Sequence, residues 1–91
     1  MTFLERYQLA ETWQDKCLVM EIYHLAMTTR SKNWTITRTA ESFGVSIGLV
    51  SENLRLALAI HVNPKMLECE TRQDAIRKLN GNYRRINGDD L

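Results

Sequence analysis

Thr35-Ile-Thr-Arg-Thr-Ala-Glu-Ser-Phe-Gly44-Val-Ser-Ile-Gly-Leu-Val-Ser-Glu-Asn-Leu-Arg-Leu56 is the stretch on which the fold turns. Two helices that meet at a steep angle need a small residue where they approach, and Ala40 provides it. The turn between them needs a residue that tolerates positive φ, which Gly44 does. Val45 follows as an apolar plug. Thr35 and Ser46 stand where N-caps belong, ahead of a short helix through Phe43 and a longer one to about Ile60. In the longer helix Val50, Leu54, Ala57 and Leu58 recur at helical spacing and form the expected buried face. That assignment turns Ser46, Ile47, Gly48, Ser51, Glu52 and Arg55 outward, where such helices touch bases and phosphates. The spacing predicts a helix-turn-helix over residues 35–60 and, through it, binding to double-stranded DNA.

The outward side chains have distinct uses. Arg55 suits guanine or a phosphate, Ile47 can pack on a thymine methyl, and Gly48 lets backbone come close. Glu52 repels phosphate unless it accepts from a cytosine amine, and Asn53 stands at the flank of this face. Arg38, with Arg30 and Lys32, flanks the motif as a source of phosphate contacts. Arg72, Arg77, Lys78, Arg84 and Arg85 could extend that strip, although a solvated helix face is their plainer reading.

The run Ala40-Glu-Ser-Phe-Gly-Val-Ser-Ile-Gly-Leu-Val-Ser-Glu-Asn-Leu-Arg-Leu-Ala57 also resembles the helix-turn-helix of the ParB-like partition and repressor proteins. In that family a Gly-x-Ser turn leads into a Val-Ser-x-x-Leu-Arg-Leu recognition helix. Gly44, Ser46, Val50, Ser51, Leu54, Arg55 and Leu56 match it residue by residue. The resemblance covers residues 35–58 and implies sequence-specific duplex binding. It places Ser46 and Arg55 near the backbone and Ile47 to Ser51 near bases. The nucleotide-hydrolysing and dimerisation domains of full ParB-like proteins have no counterpart in it, so partition activity is not expected.

Outward from the motif, Thr2-Phe-Leu-Glu5 reads as a capping box. It opens a long N-terminal helix expected over residues 2–27, with no Gly or Pro to interrupt it. So long a helix on a 91-residue chain either roofs the core or pairs two protomers as a homodimer. Asn63-Pro64 predicts a cap followed by a short helix to residue 68. Thr71-Arg-Gln-Asp74 predicts a last helix to Leu79, stopped by Asn80-Gly81, with a frayed tail over 82–91. The expected fold class is an all-α compact bundle of about five helices, in a single domain over residues 1–91.

Composition narrows the function. The net charge is +1, with eight Lys/Arg against five acids over residues 34–88, which permits nucleic acid without demanding it. Cys17 and Cys69 stand alone, with no CxxC or Cys/His cluster, so no disulfide or metal site is expected and a reducing, cytoplasmic setting fits. No apolar run approaches the length that spans a bilayer. His24 and His61 lie in no catalytic motif, and there is no glycine-rich phosphate loop, so neither an enzyme nor a cofactor is expected. The leading expectation is a homodimeric small transcriptional regulator of the phage or plasmid type. The competing one is a protein-interaction module that keeps the helix-turn-helix as scaffold, such as a phage inhibitor of a host enzyme or a packaging adaptor.

Overall fold

Thr2 caps the first helix as a full capping box: its hydroxyl accepts from Glu5 N–H at 3.1 Å while the Glu5 carboxylate accepts from Thr2 N–H. That Thr2 N–H bond, and then the Thr2 hydroxyl's own donation to the carboxylate at 3.0 Å, hold the Glu5 carboxyl below its ordinary range. In the computed structural model, which describes residues 1–84, the chain forms five α-helices and a 3₁₀ turn. They are α1 (Phe3–Leu9), α2 (Trp13–Arg30), α3 (Ile36–Phe43), α4 (Ile47–Val62), the 3₁₀ turn (Pro64–Glu68) and α5 (Arg72–Arg84). The all-α bundle of about five helices is the observed fold class.

The long first helix expected over 2–27 is two helices. Ala10 leaves helical geometry at ψ 127°, and Thr12, itself extended, starts α2 by accepting from Asp15 N–H at 3.1 Å. Thr12-x-x-Asp15 is a second N-cap signal, and it outweighs the unbroken apolar periodicity. The corner is then locked from both sides. Lys16 donates to the Tyr7 carbonyl at 2.7 Å, filling an acceptor left open at the end of α1, and lies over the Tyr7 ring at 4.6 Å. Trp13 Nε1 donates to the Cys69 carbonyl at 2.8 Å, and Gln14 Nε2 donates to the Leu67 carbonyl at 2.9 Å. The bend brings Phe3 and Tyr7 back onto α2 and α3 instead of carrying them away along one axis.

Two apolar clusters share α2 and α4. One joins Trp13 and Cys17 to Leu56, Ala57, Ile60, Met66 and Ala75. The other joins Met20 to Ala40, Phe43 and Val50, with Phe3, Tyr7, Tyr23 and Leu54 packed around them. The buried face of α4 also differs from the expected one: Leu58 is 61% exposed, while Asn53, Leu56 and Ile60 are buried with Val50 and Ala57. Burial of Asn53 is possible because its amide is satisfied. Its Oδ1 accepts from Arg72 Nε at 2.9 Å and from the Cys17 thiol at 3.5 Å, and its Nδ2 donates to Met20 Sδ at 3.6 Å. The Cys17 thiol, fully enclosed there, is pushed up to about 11 by burial, against a smaller opposing pull from Arg72. It is a packing sulfur with little thiolate character.

The last helix runs past Leu79 to Arg84, with Gly81 inside it. Glycine costs about 1 kcal/mol in a helix interior but stops a helix only where the chain takes positive φ. Among the described residues only Gly44 does so. Residues 82–84 of the tail expected over 82–91 are therefore helical, and residues 85–91, with Arg85, lie outside the described residues.

Thr39 fastens α3 to α2. It is fully buried, accepts from Trp34 Nε1 at 2.9 Å and shares a hydrogen bond with His24 Nδ1, 2.6 Å away. The hydroxyl donates in that bond when the imidazole is neutral with its proton on Nε2. Burial lowers the His24 pKa from 6.5, in keeping with this. A folded-state pKa below the unfolded one gives stability that is complete above pH 6.5 and is lost as pH falls through the lower folded value. His24→Asn keeps an acceptor near Nδ1 without the titration. Thermal melts should show the wild type losing Tm from pH 7 to pH 5 faster than this variant; parallel curves would remove His24 as the cause.

Candidate nucleic-acid interface

The turn between α3 and α4 is built as its residues require. Gly44 sits at φ 67°, ψ 36°, and beyond it Val45 N–H bonds the Ala40 carbonyl at 3.0 Å, the closing bond of a left-handed helix end. A side chain at 44 would meet nothing within 4 Å, so the requirement for glycine is one of backbone conformation, not space. Ser46 then caps α4, its hydroxyl accepting from Leu49 N–H at 3.1 Å. The two helices are bent by 104° across this short connection, within the range of helix-turn-helix units. Ala40 and Val50 are buried at the crossing with Phe43.

The predicted site residues on α4 fall on one surface. Ser46, Gly48, Ser51 and Glu52 line a shallow depression together with Leu49. Ile47 beside it is 52% exposed, and Arg55 one turn further on is exposed. Ser46 spends its oxygen on the cap and keeps its proton free to donate outward. Arg38 stands apart from this group. It lies exposed over the Trp34 ring at 5.8 Å and lines a second, open depression with Thr35, Thr37, Glu41 and Ser42.

Glu52 has a partner that motif spacing does not reveal. Arg72, the first residue of α5, donates through one guanidinium nitrogen to the Glu52 carboxylate at 2.9 Å and through Nε to Asn53. One cation thus neutralises the acid on the outward face and satisfies the amide on the inward face of the same helix. Arg72 accordingly leaves the expected basic strip, while Arg77 and Lys78 remain exposed on α5. Arg77 reaches Asp74 at 3.4 Å. On the opposite side of α4, His61 Nε2 meets Glu21 of α2 at 2.7 Å.

Among the described residues no three His, Cys, Asp or Glu side chains converge as metal ligands, and no single helix is long and apolar enough to cross a membrane. The arrangement offers hydroxyl and guanidinium donors, an apolar Ile47 and bare backbone at Gly48 along the solvent side of the first turns of α4. Comparison with protein-family models, curated proteins and solved structures finds no match to this chain.

Proposed function

We propose that this protein is a sequence-specific double-stranded DNA-binding regulator in which α4 enters the major groove. One observation carries the reading: a 104° helix-turn-helix whose second helix leaves Ile47, Gly48 and Arg55 to solvent at the end where such helices read bases. The Arg72–Glu52 pair supports it, because it offsets the one carboxylate on that surface that would repel phosphate. The likeness of Gly44, Ser46, Val50, Ser51 and Leu54-Arg-Leu56 to ParB-like readers points the same way. A single such helix reads only a few base pairs, so two copies on adjacent half-sites are the working form.

Selection from a random duplex pool tests this. An enriched motif is expected, and binding to it should weaken with salt at a log–log slope of roughly −2 to −4 for a few phosphate contacts per copy. Arg55→Ala should weaken it about tenfold or more. No enriched motif, together with unchanged binding by Arg55→Ala, would end the proposal.

A second reading, an adaptor for another protein, is favoured by a different feature. Leu58 and Val62, 61% and 76% exposed, border an apolar cleft of about 270 Å³ completed by Ala59, Met66 and Leu79. Complexes formed there would be nearly indifferent to salt, which separates the two readings in one titration.

A further inference from the structure

The outer side of α2 carries an unpartnered seam. Leu18, Ile22 and Leu25 follow one another at steps of four and three, the spacing of a helix-pairing stripe. Ile22 is 54% and Leu25 57% exposed, Ala26 beside them is exposed, and Leu18 is half-buried against the core. The acid nearest the middle of the seam, Glu21, is drawn aside by His61, so no free carboxylate crowds it. The ends of the seam are charged with opposite sign. Glu11 and Asp15 stand exposed at its start, Arg30 and Lys32 exposed at its finish.

We propose that this seam pairs with the same seam of a second copy, running antiparallel. Setting Ile22 against its own counterpart places Leu18 beside the second copy's Leu25. The same register brings Asp15 to the second copy's Arg30 and Glu11 towards its Lys32. Asp15 and Arg30 lie about 22 Å apart along the helix at 1.5 Å per residue, so both charged ends engage in one register. A parallel pairing would instead set acid against acid and base against base. The apolar part is small beside the ~800 Å² per partner of a standard interface, so the dimer is weak and concentration-dependent. The inference deepens the two-copy reading above, and its test contains no DNA, so the two stand or fall separately.

Sedimentation equilibrium of the full chain at low salt measures the association. The wild type should pass from monomer towards dimer over roughly 10 µM to 1 mM, as a small interface requires. Ile22→Asp should weaken association at least tenfold with its circular dichroism unchanged. Asp15→Lys alone should weaken it severalfold, and Asp15→Lys with Arg30→Glu should restore it. Both exchanges oppose the helix dipole, so recovery in the double variant cannot come from a better-formed helix. A wild type that stays monomeric to 1 mM, or a dimer indifferent to Ile22→Asp, overturns the proposal. A dimer that Asp15→Lys leaves intact overturns the antiparallel register.

Discussion

Phe43→Ala should destabilise the protein by about 3–5 kcal/mol, the usual cost of emptying a buried phenylalanine site. Phe43 is 6% exposed and closes the end of α3. Its ring lies edge-on to Tyr7 at 5.1 Å and to Tyr23 at 5.1 Å, and it packs with Met20, Ala40 and Val50. A chain of 91 residues has a total stability of only roughly 5–14 kcal/mol. The loss should therefore lower Tm by roughly 15–35 °C, or leave the chain largely unfolded at room temperature. Phe43→Leu fills most of the site and should cost less than half as much. Urea titration read by tryptophan fluorescence measures both. A loss under 1 kcal/mol for the alanine variant would mean that Phe43 does not hold the helix-turn-helix to α1 and α2. Amide exchange adds a spatial check. The cluster around Trp13, Leu56 and Met66 lacks Phe43, so α3 and α1 should lose protection before the 3₁₀ turn does.

Arg72→Ala should act on two properties at once. Its guanidinium makes two hydrogen bonds at 2.9 Å, one to the Asn53 amide and one to the Glu52 carboxylate. With the guanidinium gone, Asn53 Oδ1, buried inside α4, keeps only the longer contact from the Cys17 thiol. A stability loss of about 1.5–3 kcal/mol is expected, as for a hydrogen-bonded charge that leaves a buried acceptor short of a donor. On the proposed function the same change also exposes an unpaired carboxylate to the DNA backbone, and affinity should fall several-fold, most at low salt. Adding Glu52→Gln removes that charge and should return the affinity without returning the stability. Anisotropy titrations beside urea melts on the two single variants and the double variant form the cycle. If Arg72→Ala binds DNA as tightly as the wild type, Glu52 does not face a phosphate and α4 docks in another orientation.

The parts of the fold legible in the amino-acid order are those set by local hydrogen bonds. Thr2, Thr35, Ser46, Asn63 and Thr71 were each recognisable as caps because a short polar side chain bonds an N–H two or three residues on. The same logic holds for Thr12, but an apolar repeat continuing through residues 10–13 hid it, and the long helix divides there. Periodicity misled once more on α4, where four hydrophobic residues pointed to a face centred near Leu54. The observed face is turned towards Asn53 and Leu56. Hydrophobic patterning assigns an asparagine to the surface, and nothing local reverses that. Of the proposed contact residues, Ser46, Gly48, Ser51 and Glu52 do share one surface, because the caps at Thr35 and Ser46 fix where α4 begins.

Sequence by itself determined the helix-turn-helix: Ala40, Gly44, Val45 and Ser46 meet steric and hydrogen-bonding requirements that act within a few residues. Tertiary structure alone decided how α4 is rotated and which of its charges stay free. Those outcomes depend on Arg72 arriving from α5 and Cys17 and Met20 from α2. A buried amide is tolerated, and an exposed carboxylate neutralised, only when partners distant in the chain supply the complementary groups.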